Sequence, residues 1–354
     1  MVKNIQALRG VAVILVLVAH LTKIEEKYFT GFRLLPEFLS IGISGVDLFF
    51  VISGFVMIYV TRNAGRSNAA LKEFLAHRLT RIYPLYWFYS LLVLIVFILR
   101  PTWVNSAQGN QVNLLASFLL LPLPAGQFPL LGVGWSLIHE MYFYLVFGVL
   151  LFLPRRIRAH SLILWFGLVI GGMALGPNPG NATIQLIAHP LTLEFIAGSA
   201  IGLLYLAGRG RFSVFATLSA LVIWCVAYTL YAQQAGHGMA AVEWRRPLVF
   251  GIPAALMCYG LVILERDKGI ILPIWLIRIG DWSYSIYLSH LLMISALGRL
   301  WHVIGLSSLL GNMLALIGIF LAAIFTGKLS YALIEKPIQK YIRRTILDKP
   351  WVTR

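Results

Sequence analysis

Long charge-free apolar runs alternate with short polar segments along the whole chain. Three occur within the first hundred residues: VAVILVLVAHL (Val11 to Leu21), LFFVISGFVMIYV (Leu48 to Val60) and PLYWFYSLLVLIVFIL (Pro84 to Leu99). A helix of about 20 residues crosses a bilayer core of about 30 Å. On that criterion spans fall at 5–22, 41–60, 83–99, 133–153, 161–176, 190–207, 213–231, 247–264, 279–297 and 309–327. The pattern predicts an all-α polytopic integral membrane protein with about ten transmembrane helices. One membrane domain covers 1–330, and a basic cytoplasmic tail follows at 331–354. The first apolar run leads into Thr22-Lys23-Ile24-Glu25-Glu26 without a small-residue cleavage site, so it reads as a membrane helix and not a signal peptide.

Three shorter pieces read differently. LLASFLLLPLP (Leu114 to Pro124) is too short to span and is closed by Pro122 and Pro124, which predicts an interfacial or re-entrant segment. IILPIWL (Ile270 to Leu276) is expected along the inner surface, and the basic stretch from Glu335 to Arg354 as a short helix on the cytoplasmic leaflet.

Composition supports the spans. Apolar types make up 59% of the 354 residues and charged types 12%, about half the charged share of a soluble protein. The net charge of +16 would suit nucleic acid, but its distribution argues otherwise. Basic residues gather in alternate segments: Lys3; Arg62, Arg66, Lys72, Arg78 and Arg81; Arg155, Arg156 and Arg158; Arg209 and Arg211; Arg266, Lys268 and Arg278; and the tail from Lys328. That is the positive-inside pattern with both termini cytoplasmic, and the basicity faces lipid headgroups and no nucleic acid. Cys225 and Cys258 lie in apolar runs and read as buried thiols without a metal role.

Ionisable groups inside spans are costly and are therefore functional candidates. Arg9 and His20 share the first span, 11 residues apart, hence on nearly one face and about 16 Å apart along the axis. Snorkelling of Arg9 and an interfacial His20 account for them equally well. Asp47 opens the second span, where a helix dipole alone favours a carboxylate; it is also placed to orient His20. Ser53 follows it, and Gly42, Gly45 and Gly54 permit close helix approach. In the fourth span Ser136, Glu140 and Tyr144 recur at intervals of four on one face, whereas His139 points about 100° away. In the ninth, Ser283, Tyr284, Tyr287 and His290 form a polar edge explained as well by interhelical hydrogen bonding as by chemistry. Glu194 is a weaker candidate. The chain carries no GxxxxGK[ST], HExxH, GxSxG or CxxCH motif, and no HxxxD at any of its eight histidines.

Five passages in this order resemble the acyltransferase-3 family of bacterial inner-membrane O-acyltransferases. They are IQALRGVAVILVLVAH (Ile5 to His20), GVDLFFVISGF (Gly45 to Phe55), HRLTRIYPLYW (His77 to Trp87), WSLIHEMYFY (Trp135 to Tyr144) and IGDWSYSIYLSH (Ile279 to His290), with IEKP (Ile334 to Pro337) closing the set. Length and the LPR ending of the fourth span look most similar to exopolysaccharide acyltransferases of the ExoZ type.

The resemblance implies an acyl-CoA donor, acetyl-CoA foremost, with no permanently bound cofactor, and a glycan or lipid-linked sugar acceptor. It implies His20 as the catalytic histidine with Arg9 as its companion, and Arg78 and Arg81 as donor-binding residues; Glu140 matches the family's SLxxE glutamate. Asp47 or Glu140 would orient His20. Direct transfer and an acyl-histidine relay both stay open, as do homodimerisation and polysaccharide-biosynthesis partners. A secondary transporter would also use intramembrane charges, and a non-catalytic export component would tolerate their loss.

Overall fold

The computed structural model describes residues 2–65, 67–105, 111–124, 126–176, 180–232, 244–306, 308–342 and 344–345. The end of the expected basic tail, Arg343 and 346–354, lies outside them, as does Arg66. The described residues are helical, with an isolated bridge between Val112 and Phe128 in place of any strand. Each expected span coincides with a helix: α1 (Lys3–Tyr28), α2 (Gly45–Val60), α3 (Asn68–Leu99), α5 (Gly134–Leu150), α6 (Arg155–Ala174), α8 (Thr192–Leu206), α9 (Ser213–Ala232), α10 (Ile252–Lys268), α11 (Ile274–Ile304) and α12 (Leu309–Ser330). Short helices α4 (Leu114–Leu119), α7 (Ala182–Ile187) and α13 (Lys336–Ile342) complete the order.

Among the described residues, seven helical segments are long and apolar enough to cross a membrane: Lys3–Tyr28, Glu37–Val60, Asn68–Leu99, Ile157–Ala174, Ala182–Leu206, Pro247–Lys268 and Leu309–Ile342. The 17-residue α5 and the apolar part of α9, Ser213–Ala227, are shorter. In α11, Asp281, Ser283, Tyr284, Ser285, Tyr287, Ser289 and His290 break the apolar run.

The chain forms two compact units, residues 1–52 with 208–331 and residues 53–207 with 332–354. In the first, α1 lies along α11, and α12 packs against both, with Leu17, Leu21 and Ile24 of α1, Ile294 of α11 and Ile319 and Ala323 of α12 in one buried cluster. Small residues set the spacing. A Cβ on Gly280 would overlap the carbonyl oxygen of Gln6, and one on Gly10 would overlap that of Leu276, so the two backbones meet directly. Gly42 and Gly45 bring a 3₁₀ segment (Glu37–Ser44) and the start of α2 onto the carbonyls of Leu15 and Ala12 in the same way. The start of α1 has no side-chain cap of its own. Instead Glu265 of α10 accepts hydrogen bonds from the amides of Lys3 (2.8 Å) and Asn4 (2.7 Å), two of the donors a helix start leaves over. Asn4 donates to the carbonyls of Leu261 and Ile270 and accepts from the amide of Leu272. Residues 270–273 therefore connect α10 to α11 and residues 274–276 already belong to α11, so the expected surface-lying piece is shorter than its apolar run.

In the second unit, α3 starts fifteen residues before its expected span, capped by Ser67, and contains Pro84. Its aromatic edge holds α4: Tyr83, Tyr86 and Trp87 donate to the carbonyls of Leu119, Ser117 and Phe118. These carbonyls lie at the end of the six-residue helix, where intrahelical partners run short, so the short apolar segment is a helical turn fastened to α3 and closed by Leu120 in the left-handed conformation. Gly54 sits directly on the carbonyl of Phe195 in α8.

Candidate active site

In the first unit, α1 is unbroken from Arg9 to His20, so the two keep the axial separation of an ideal helix. Arg9 donates to Gln6 (3.2 Å), and Gln6 donates in turn to Asp281 of α11 (2.6 Å). At the other end of the helix, His20 Nδ1 lies 2.8 Å from the carbonyl oxygen of Val16. A carbonyl only accepts, so Nδ1 carries the proton and Nε2 presents a lone pair. His20 is partly buried, and its ring meets that of His290 edge to face, centroids 5.0 Å apart. His290 is wholly buried. Tyr287 stands 5.8 Å from His290 and Phe49 5.9 Å from Tyr287, centroid to centroid. Tyr284 is buried on the same helix, and the Ser283 hydroxyl is buried with no hydrogen-bond partner among the described residues.

Asp47 occupies the first turn of α2 as expected, but its partner is Arg246. The guanidinium Nε and Nη2 each donate to one carboxylate oxygen at 2.8 Å, and both residues are buried. Sequence reasoning assigned Arg246 no role. Its signal was a pair of arginines at the edge of an apolar run, in a segment whose neighbours on the same side are poor in basic residues.

The second unit brings together a different set. Tyr144 donates a short hydrogen bond to Glu140 one helical turn away, and Ser53 donates to the same oxygen at 3.4 Å. Arg78 is buried, with its guanidinium 5.5 Å from the Phe74 ring and 5.7 Å from the Tyr144 ring, a distance at which a cation is attracted to a ring face. Arg81 is partly buried. Ser136 donates to the Val133 carbonyl at the start of α5. His139 meets His189 with the rings tilted, centroids 4.4 Å apart. Glu194 is buried in the first turn of α8. Cys258 is buried, whereas Cys225, expected to be buried, is exposed on α9.

This chain thus offers an imidazole with a free lone pair in one unit, and in the other a carboxylate held by two hydroxyls beside a buried guanidinium. The acyltransferase-domain model of the acyltransferase-3 family matches residues 2–329. The exopolysaccharide production protein ExoZ of Rhizobium meliloti (strain 1021) is 33% identical over 84% of this chain and 90% of its own length. The acyltransferase MdmB of Streptomyces mycarofaciens is 25% identical over 98% of this chain and 94% of its own. A putative acetyltransferase of Acidianus two-tailed virus is 25% identical over 86% and 87%. No solved structure matches. The chain belongs to the acyltransferase-3 family and is an all-helical acyltransferase.

Proposed function

We propose that this protein moves an acyl group, acetyl foremost, from acyl-CoA to a hydroxyl of an exported or cell-surface glycan at the bacterial inner membrane. In this reading the chain crosses the bilayer ten times with both termini in the cytoplasm, as the alternation of basic segments supports. Arg9, Arg78 and Arg81 then lie toward the cytosolic donor, and His20 and Glu140 toward the outer side. The acceptor class rests on the relative whose name states exopolysaccharide production.

The carrying observation is the Nδ1 proton of His20 held on the Val16 carbonyl. It fixes the tautomer, so Nε2 is ready to take a proton. The acceptor's O–H bond breaks toward Nε2 as its oxygen attacks the thioester carbonyl. The C–S bond then breaks, and the CoA thiolate takes the proton back from the imidazolium. Arg81 meets the donor's phosphates, for which a guanidinium offers permanently charged, paired donors. Arg78, turned onto aromatic rings, acts instead on Tyr144 and Glu140 by its charge.

Mass spectrometry of surface glycans from cells with and without the gene tests the reading. Loss of an acyl increment in the deleted strain is expected, with its return on complementation. An unchanged glycan acylation pattern would overturn it.

A further inference from the structure

We infer that His290 is a positioning residue for His20: a second, water-shielded imidazole whose lone pair stabilises the positive charge His20 acquires during transfer. The inference rests on the reading of His20 as the base. His290 Nδ1 lies 2.8 Å from the carbonyl of Tyr287 and 3.2 Å from that of Ile286, so its proton too is on Nδ1. Its Nε2 is an acceptor, fully buried and without a hydrogen-bond partner among the described residues. A buried acceptor left unsatisfied is costly and calls for a reason. The adjoining group is the His20 ring, neutral at rest and cationic once it has taken the acceptor's proton. A desolvated neutral imidazole beside it favours that cationic state more strongly than water-exposed groups would, because the local dielectric is low.

Several charged groups of the surrounding elements are engaged elsewhere, among them buried Glu25 of α1, which accepts from the amides of Leu34 and Leu35. Glu265 of α10 holds the amides of Lys3 and Asn4, and Asp281 of α11 holds Gln6. Arg299 of α11 lies over Tyr28, Lys328 of α12 over Trp282, and Asp47 pairs with Arg246. Glu37 of the 3₁₀ segment is exposed. Among the described residues no carboxylate pairs with His20, which leaves His290 and, behind it, Tyr287 to set its environment.

The test uses membranes of a strain lacking the native gene, which carry the unacylated acceptor, with each variant supplied in trans and radiolabelled acetyl-CoA as donor. His290→Phe keeps a ring and removes the lone pair. It should lower kcat by about 2- to 30-fold, the range of a cation beside a fixed partial charge, with KM for acetyl-CoA unchanged. The acidic limb of the rate profile should move to lower pH, because the protonated state of His20 has lost its support. His290→Gln, whose amide oxygen restores an acceptor, should recover part of both. Diethyl pyrocarbonate modification of His20, located by mass spectrometry, reads the same preference without turnover. It serves with His290→Gln and His290→Asn if the Phe variant fails to insert, and its pH midpoint should shift according to acceptor strength. Wild-type kcat and an unmoved acidic limb in His290→Phe, or an unmoved modification midpoint across the variants, would overturn the inference. His20→Gln separates the two ideas: turnover there removes the base itself, whereas a dead His20→Gln beside a wild-type His290→Phe removes only the role of His290.

Discussion

Replacing Asp47 by Ala should destabilise the first unit far more than the loss of an ordinary ion pair. The Asp47 side chain is 0% exposed and that of Arg246 10%, and two hydrogen bonds of 2.8 Å join them. Removing one member of such a pair strands the other charge out of water, at a cost of about 3–5 kcal/mol. The Lys23–Glu26 pair, with side chains 72% and 52% exposed, is the internal control, where the expected loss is at most about 1 kcal/mol. Cys258, buried in α10 of the same unit, supplies the probe. In a Cys225→Ser background, its reaction with a thiol dye during a temperature ramp in detergent reports opening of the unit. Asp47→Ala should lower the transition steeply and Lys23→Ala barely. The double variant Asp47→Ala with Arg246→Met should regain most of the loss, since it leaves no orphaned charge. If Asp47→Ala opens within about 1 kcal/mol of the parent, the buried pair does not hold the unit closed.

Two further outcomes follow from the packing and capping of α1. Gly280→Ala must separate the α1 and α11 backbones, at a cost of about 1–3 kcal/mol or more; the same dye ramp should show an earlier transition, and an unchanged one would contradict the close approach. Glu265→Ala removes both acceptors from the start of α1, worth about 1–2 kcal/mol, and hydrogen exchange at the amides of Lys3 and Asn4 should accelerate while that of Leu17 does not.

Much of the architecture was legible because a membrane imposes one rule, the apolar run, on every span. The runs located the helices, and the glycines of GISGVDLFFVISGF marked two true contact surfaces, because a missing side chain acts locally. Boundaries were harder. The apolar run of α3 begins near Tyr83, but its helix starts at Asn68, since an amphipathic extension leaves no hydropathy signal. Pairings across long separations were the least legible. Asp47 lies 199 positions from Arg246, and no local pattern links them. His20 and His290 were both singled out by cost, each a polar ring in an apolar helix, but their contact depends on how Gly10 and Gly280 set the register of α1 on α11. Arg78 and Arg81 looked equivalent in sequence; three positions along a helix turn one onto the Tyr144 ring and leave the other partly exposed.

The most direct test of the central claim is the acyl-transfer rate of purified His20→Gln and His20→Ala in lipid nanodiscs, with insertion verified by the Cys258 transition. Loss of the base should reduce transfer by about 10²- to 10⁴-fold while the fold stays intact. Turnover near that of the parent protein would contradict the account.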